Sequence, residues 1–168
     1  MSHADQTVFD IPRPEDRERL AQLLVQDMTT LKVHRTPQEM LHLVDLILED
    51  GGRSAFCRVV RPAPGEQPVG LVLGNLTFSV KFAGRALWIE NLYVDPAWRR
   101  GRMGRRLLGH LLDWAEANGI KGIDLEAYQG NTPASILYRS LGFERMNRER
   151  FWFDFGWMDE AREEEQEG

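Results

Sequence analysis

A segment rich in glycine and arginine, beginning at Arg99, has the residues that most directly suggest chemistry. A predicted strand ends just before it at Asp95-Pro96, and leucines at helical spacing follow it. The segment thus lies at a helix start, where the first amides lack partners and the helix dipole is positive. Gly101 and Gly104 let a ligand approach the main chain closely. The arginines here are Arg99, Arg100, Arg102, Arg105 and Arg106. The segment predicts an anion site, the alternative being a solvated arginine-rich helix face.

The cysteine and histidines suggest no second chemistry. Cys57 is the single cysteine, which excludes an internal disulfide, and its place in an apolar run is typical of a buried hydrophobic residue. The histidines at positions 3, 34, 42 and 110 pair with no cysteine or carboxylate at ligand spacing. We therefore expect neither a nucleophilic cysteine nor a metal site.

Size and charge limit the class of protein. The 168 residues, 42% of them apolar, suit one globular domain. The formal charge of −5 makes the arginine cluster a local exception in an acidic chain. This argues against nucleic-acid binding and suits an anionic cofactor with a cationic substrate. No signal segment or long apolar run is found, so we expect no membrane association and a cytoplasmic location.

The elements that must position the anion site form a mixed α/β sheet with helices before and after it. A short strand at residues 7–11 precedes two helices, the first opening at Pro14 and the second after the capping box Thr36-Pro-Gln-Glu39. Their predicted buried residues are Leu20, Leu23, Leu24 and Met28 in the first helix and Met40, Leu43, Val44, Ile47 and Leu48 in the second.

The second half of the predicted domain contains the sheet centre. Strands at residues 54–60, 69–78 and 87–94 form an antiparallel meander, and a helix at about 101–118 leads to a parallel strand at 123–127. A short helix capped by Thr132 and a last strand at 150–155 complete one domain over residues 1–156. Residues 157–168 are predicted to form an acidic, solvated tail.

These motifs together resemble the GCN5-related N-acetyltransferases (GNAT). That superfamily has Arg or Gln, two residues, Gly, one residue, then Gly or Ala, and here Arg99 and Gly104 match while Arg102 replaces the middle glycine. The downstream residues that match are Asn131, Ala134, Tyr138 and Gly142-Phe143. The strand at 87–94 looks most like the diamine (spermidine/spermine) acetyltransferase group and its bacterial relatives. The resemblance implies the acyl-CoA N-acyltransferase fold, a mixed sheet with splayed parallel strands.

The resemblance also implies acetyl coenzyme A as co-substrate. It would lie where the strand through Leu92, Tyr93 and Val94 splays from the strand at 123–127, and its pantetheine arm would contact Asn131. Its pyrophosphate would rest on the turn formed by Arg99, Arg100, Gly101, Arg102, Met103, Gly104 and Arg105. The Leu92 amide would stabilise negative charge on the thioester carbonyl oxygen.

The resemblance assigns two catalytic residues. An amine is protonated at neutral pH and cannot attack until a base accepts its proton. Glu90 matches the acidic residue given this role in the diamine group, with a solvent-facing or ion-paired strand residue as the alternative. Tyr138 matches the acid that protonates the departing thiolate, with a packed core tyrosine as the alternative. Arg139 is a further candidate for a cofactor phosphate, with a surface arginine as the alternative. Aromatic residues that would shape the amine pocket are Phe78, Phe82, Trp88 and Tyr93, with core packing as the alternative.

The expected function is transfer of acetyl to a primary amine of a small molecule, such as a polyamine, a diamine or a lysine-like compound. An amino acid, an aminoglycoside or a peptide N-terminus are alternative acceptors. A catalytically idle coenzyme A-binding module is the alternative outside enzymology, although such a module would need neither Glu90 nor Tyr138. By analogy with the diamine group, a homodimer with its contact at residues 150–155 is also expected.

Overall fold

A computed structural model describes residues 6–156, and the predicted acidic tail at 157–168 lies outside the described residues. Two 3₁₀ helices, at Pro14–Asp16 and Pro96–Gly101, precede α1 and α3. The strands are β1 (Val8–Asp10), β2 (Ala55–Arg61), β3 (Gly70–Ser79), β4 (Gly84–Val94) and β5 (Gly122–Leu125). The α-helices are α1 (Arg17–Thr30), α2 (Pro37–Asp50), α3 (Met103–Ala117) and α4 (Thr132–Ser140).

The strands form a single mixed sheet in the order β1-β2-β3-β4-β5. The first four pair in antiparallel fashion, and β4 pairs with β5 in parallel. The predicted mixed α/β sheet, its central meander and its parallel crossover through a helix are therefore confirmed. Two predicted helix boundaries are confirmed as well, because the Thr36–Glu39 capping box starts α2 and Gly51 in the left-handed conformation ends it.

Strand β4 contains a β-bulge in the centre of the sheet, and its pairing with β5 ends just before this bulge. Gly74 pairs with Ile89 and Leu73 with Asn91, so Glu90 is an extra residue in a β-bulge of β4. A side chain at position 74 would not fit, because its Cβ would lie 2.7 Å from the Trp88 carbonyl oxygen. The parallel pairing with β5 stops at Ile89, so residues 90–94 have a partner strand on the β3 side only.

Helices cover the two faces of the sheet and enclose separate apolar clusters. Helices α1 and α2 bury the predicted residues Leu20, Leu23, Leu24, Met40 and Val44 against one face, whereas Met28 is partly exposed. On the other face, α3 buries Leu107, Leu108 and Leu111 against a cluster that also contacts Tyr138 of α4. Each face of the sheet thus has its own apolar cluster.

One buried ion pair fixes the start of α1 to β2. The Arg61 guanidinium donates hydrogen bonds of 2.9 and 2.7 Å to the Asp16 carboxylate. Both side chains are almost fully buried, with 3% and 5% of their surface exposed. Burial favours the neutral carboxyl, but the hydrogen bonds from Arg61 and from the Arg13 amide, with the positive charges of both arginines, together outweigh burial and lower the pKa of Asp16. Removal of either side chain would therefore leave the other charge buried and unpaired.

Two details of the predicted C-terminal half are wrong. Residues 150–154 form no strand, and Phe151, Trp152, Phe153 and Phe155 are all exposed. Aromatic residues favour strands only where they pack on neighbours, and no strand within residues 6–156 pairs with these. The cap of α4 is Asn131 rather than Thr132, because the Asn131 side chain accepts the Ala134 amide.

Within residues 6–156, no helix is both long and apolar enough to cross a membrane.

Candidate active site

The predicted anion site is a turn between a 3₁₀ helix and α3. Residues 96–101 form the 3₁₀ helix, Arg102 adopts the left-handed conformation, and α3 begins at Met103. The Arg102 side chain does not cap α3, so the first amides of this 15-residue helix are left for another acceptor. Gly101 is exposed and Gly104 partly exposed beside them. The turn thus presents unpaired amides at the positive end of the helix dipole.

Arg102 has a backbone conformation that normally belongs to glycine. Its φ is 54° and its ψ 28°, the left-handed region that costs a residue with a Cβ roughly 1–2 kcal/mol. This is the position at which the superfamily signature has its middle glycine. The departure seen in the sequence therefore places strain in the turn, while the turn itself keeps the shape that the glycine would allow.

The arginine side chains near the turn have structural contacts of their own. Arg99 Nε donates to the Val94 carbonyl at 2.9 Å, and its guanidinium lies 5.3 Å from the Tyr93 ring centroid. Arg105 donates to the Ser140 hydroxyl at 2.5 Å and so joins α3 to α4. These contacts of Arg99 and Arg105 therefore stabilise the turn, in addition to any part that the two side chains have in anion binding.

The open edge of β4 lies next to this turn. Because β5 pairs only as far as Ile89, the backbone of Leu92, Tyr93 and Val94 has no parallel neighbour. The Tyr93 side chain is buried on the α1 face, where its hydroxyl lies 3.5 Å from Gln26. The splayed strands expected from the sequence are thus present, with β5 ending at Leu125 rather than at residue 127.

Tyr138 lies on α4 and faces the sheet. Its ring packs against the same apolar cluster as Leu92, and its centroid is 6.0 Å from that of Phe143. Burial, followed by the negative charge of Asp27, raises the pKa of the Tyr138 phenol. A phenol with a raised pKa stays protonated at neutral pH, as a proton donor must.

Glu90 occupies the bulge in β4 and is exposed. The Trp88 indole Nε1 donates a hydrogen bond of 3.0 Å to its carboxylate. No hydrogen bond joins Glu90 to Tyr138 among the residues that the structure describes. The two predicted catalytic residues thus lie on different elements, one at the bulge in β4 and the other on α4.

Asn131 borders a hollow at the start of α4. The hollow has a volume of about 240 Å³ and is lined by the first two turns of α4, together with Arg139 and Arg145. A role for Arg145 was not predicted from the sequence, because this residue lies beyond the matching motif. Two guanidinium groups make this hollow suitable for an anion.

The aromatic residues expected to line an amine pocket do not come together. Phe78 is 88% exposed, and Phe82 lies beneath the Lys81 ammonium at 4.4 Å. The Trp88 ring is covered by the guanidinium of Arg150, 4.5 Å away, which also pairs with Glu126. With Arg99 beside the Tyr93 ring, cations of the chain itself thus already lie against three of the four rings.

Asp27 is a carboxylate close to the candidate site that was not predicted from the sequence. It lies on α1, and the Asn91 side chain on β4 donates a hydrogen bond of 2.7 Å to it. A signal was available, since Asp27 follows Leu20 and Leu24 at helical spacing on the buried stripe. An acidic residue on such a stripe is unusual unless it has a partner.

The described residues fit a long anionic co-substrate better than a metal. The structure offers unpaired amides at α3, an open edge on β4 and a guanidinium-lined hollow beside Asn131. In residues 6–156 no three His, Cys, Asp or Glu side chains lie close enough together to hold a metal ion. Burial raises the pKa of the Cys57 thiol to about 12, so this cysteine is not a nucleophile at neutral pH.

Comparison with solved structures supports the fold. A possible acetyltransferase from Clostridium difficile 630 superimposes with a TM-score of 0.77 over 89% of this chain and 97% of that one, at 19% identity.

Two curated relatives are similar in sequence. The [Ribosomal protein bS18]-alanine N-acetyltransferase of Escherichia coli (strain K12) is 40% identical over 63 residues, which cover 38% of this chain and 43% of the relative. The thialysine N-epsilon-acetyltransferase of Mus musculus is 29% identical over 106 residues, covering 61% of this chain and 62% of the relative. The chain thus spans less than two thirds of each.

The family match covers the site as well as the fold. Residues 17–143 match the acetyltransferase (GNAT) family, whose members use acetyl-CoA as co-substrate. The matched residues include the turn at Arg102, the bulge at Glu90 and the phenol of Tyr138. This chain therefore belongs to the acetyltransferase (GNAT) family.

Proposed function

We propose that this protein transfers the acetyl group of acetyl-CoA to a primary amine of a small molecule, by direct attack within a ternary complex. The observation that carries the proposal is the open edge of β4, which lies between the uncapped turn of α3 and Tyr138. A cofactor with a phosphate end and a thioester end needs such an arrangement. Membership of the family supports it independently.

Four groups of the chain have roles in this proposal. The turn at residues 99–105 binds the pyrophosphate, Asn131 contacts the pantetheine arm, and the hollow with Arg139 and Arg145 accepts a further phosphate. The backbone of residues 92–94 holds the pantetheine arm as an added strand. The Leu92 amide stabilises the negative charge that develops on the carbonyl oxygen.

The proton transfers balance the reaction. Glu90 accepts a proton from the ammonium, directly or through water, and the free amine attacks the thioester carbonyl carbon. A C–N bond forms, the nitrogen gives a second proton to Glu90 after that residue has released the first one to solvent, and the C–S bond breaks with its electron pair going to sulfur. Tyr138 donates its proton to the thiolate and regains one from solvent. No covalent intermediate with the enzyme is needed, in keeping with the inert Cys57.

The acceptor we favour is a cationic, lysine-like or polyamine compound. The support is the similarity to a thialysine acetyltransferase over 106 residues, a longer match than the one to the ribosomal-protein enzyme. Similarity to the diamine group, inferred from residues 87–94, is part of the same proposal. A protein N-terminal alanine is the second candidate, supported by the higher identity over 63 residues.

The exposed aromatic residues at 151–155 suggest a homodimer in which they pack against a second copy. Exposed apolar surface of this extent is typical of an interface. Sedimentation of the wild type should give a dimer, and Trp152→Lys should give a monomer. A wild type that sediments only as a monomer removes this proposal. The expected cytoplasmic location, without nucleic-acid or membrane partners, stays a prediction.

Thiol release from acetyl-CoA tests the function. The panel should contain spermidine, thialysine, an aminoglycoside, free amino acids and a peptide that begins with alanine. Turnover with thialysine or spermidine alone supports the proposal, and turnover with the peptide alone supports the second candidate. If acetyl-CoA binds but no acceptor releases thiol, the chain is a coenzyme A-binding module instead.

A further inference from the structure

The Asp27 carboxylate is a feature that the proposed function has not used. It lies near the C-terminal end of α1, on the face that packs against β4. Asn91 Nδ2 donates a hydrogen bond of 2.7 Å to Oδ2 of Asp27 across this contact. The negative charge of Asp27 acts on the phenol of Tyr138. Asp27 therefore contributes to the electrostatic environment of the group that we expect to protonate the thiolate.

This carboxylate has an oxygen without a partner. A carboxylate can accept several hydrogen bonds, yet Oδ1 of Asp27 has no donor among the residues that the structure describes. Arg99 is the nearby cation, but its guanidinium is directed to the Val94 carbonyl and the Tyr93 ring. Asp27 is only partly exposed, and burial raises its pKa. A cationic donor is the ligand that would compensate a carboxylate in this position.

We propose that Asp27, held in place by Asn91, binds the ammonium group of the amine acceptor at the open edge of β4. The inference rests on the proposed function and deepens it, since it identifies the acceptor as a primary alkylammonium rather than a neutral amine. The roles of the two carboxylates are then different. Asp27 binds the charge of the acceptor, and Glu90 at the neighbouring bulge accepts the proton.

The position of Asn91 supports these separate roles of Asp27 and Glu90. Asn91 and Glu90 are consecutive residues at the bulge, where β4 has no partner strand on the β5 side. The hydrogen bond to Asn91 fixes the carboxylate of α1 against this part of β4. An ammonium bound to Oδ1 is thus close to the main chain that would hold the acetyl group. Proximity of this kind contributes to catalysis without further chemistry.

A purely structural role for Asp27 makes a different prediction. In that case its hydrogen bond with Asn91 would only join α1 to β4, and the charge would be irrelevant. Asp27→Asn separates the two roles, because the amide oxygen still accepts from Asn91 while the negative charge is lost. Asp113→Asn, at an exposed position of α3, is the matched control.

The test measures KM and kcat for thialysine and for trifluoroethylamine, which is uncharged at neutral pH. We expect Asp27→Asn to raise KM for thialysine by about 10- to 100-fold, the range of a charge-assisted hydrogen bond. KM for trifluoroethylamine and for acetyl-CoA should change less than about twofold, and Asp113→Asn should match the wild type. An equal rise for both amines, or no rise for either, would overturn the assignment.

Failure of the proposed function is distinguishable from failure of this inference. If the wild type releases thiol with no acceptor, the proposed function fails. Calorimetry of thialysine binding to the coenzyme A complex then decides about Asp27. Binding by the wild type and Asp113→Asn but not by Asp27→Asn supports an ammonium site. Equal binding by all three proteins, or no binding by any, overturns it.

Discussion

The indole of Trp88 donates a 3.0 Å hydrogen bond to the carboxylate of Glu90, two residues further along β4. Glu90 is the extra residue of the bulge, so it has no partner residue in β3. The indole therefore holds this exposed carboxylate at the point where β4 separates from β5. We propose that a base held at this position accepts the proton from an amine that approaches the open edge.

Glu90→Gln should lower kcat for the preferred amine by about a hundredfold or more, because a positioned base is lost. The amide keeps an oxygen that can accept from Trp88, so the shape of the bulge should persist. The measurement is steady-state thiol release, with exposed Glu116→Gln on α3 as the control. An unchanged kcat would mean that another group accepts the proton.

Tyr138→Phe should reduce kcat by a similar factor and leave coenzyme A binding intact. Phenylalanine preserves the packing against Phe143, so only the proton donor is removed. The thermal shift caused by coenzyme A reports binding, and thiol release reports turnover. Tyr128→Phe is the matched control, since Tyr128 is 61% exposed. Equal activity of the two variants would mean that Tyr138 only packs against its neighbours and does not donate the proton.

The raised pKa of Tyr138 gives the pH dependence a definite sign. Burial and the charge of Asp27 keep the phenol protonated above its ordinary pKa. The loss of kcat at high pH should therefore begin above about pH 10, the ordinary value for tyrosine. A profile of kcat with saturating substrates checks this, and a decline well below that pH would contradict it.

Arg102→Gly should be more stable than Arg102→Ala, because glycine relieves the left-handed backbone at this position. The relief of about 1–2 kcal/mol is partly offset by the greater entropy of glycine in the unfolded chain, which leaves roughly 0.5–1 kcal/mol. Both variants lose the charge, so their difference in free energy of unfolding, measured with urea, isolates the backbone.

The difference in stability between Arg105→Gly and Arg105→Ala is the control for the difference at Arg102. Arg105 is inside α3, where glycine is less favourable than alanine by about 1 kcal/mol. Both Arg105 variants also lose the bond to Ser140, so that loss cancels. The sign of the glycine effect should reverse between the two positions, and the same sign at both would contradict the explanation.

Asp16→Asn should destabilise the fold by about 3–5 kcal/mol, because Arg61 would be left buried with its charge unpaired. Since the pKa of Asp16 is lowered in the folded state, its contribution is complete above the ordinary value near 3.8 and is lost as pH falls below it. Urea unfolding at neutral and acidic pH measures both effects. Glu18→Gln, an exposed neighbour on α1, should change stability little.

The amino-acid sequence by itself determined the order of the elements and the family. Apolar periodicity, the capping box at Thr36 and the glycine and arginine turn at residues 99–105 are local patterns. Each depends on neighbours within a few positions of the chain. They predicted α1 to α4, the meander and the position of Tyr138.

Only the tertiary structure decided how distant residues meet. Asp27 and Asn91 are 64 positions apart, and their hydrogen bond depends on α1 packing over β4. The bulge at Glu90 depends on the register with β3, and the aromatic run at 151–155 formed no strand because no strand in the described part of the chain pairs with it. Local propensity sets what a segment can form, whereas pairing and burial select what it does form, since their free energies depend on partners far along the chain.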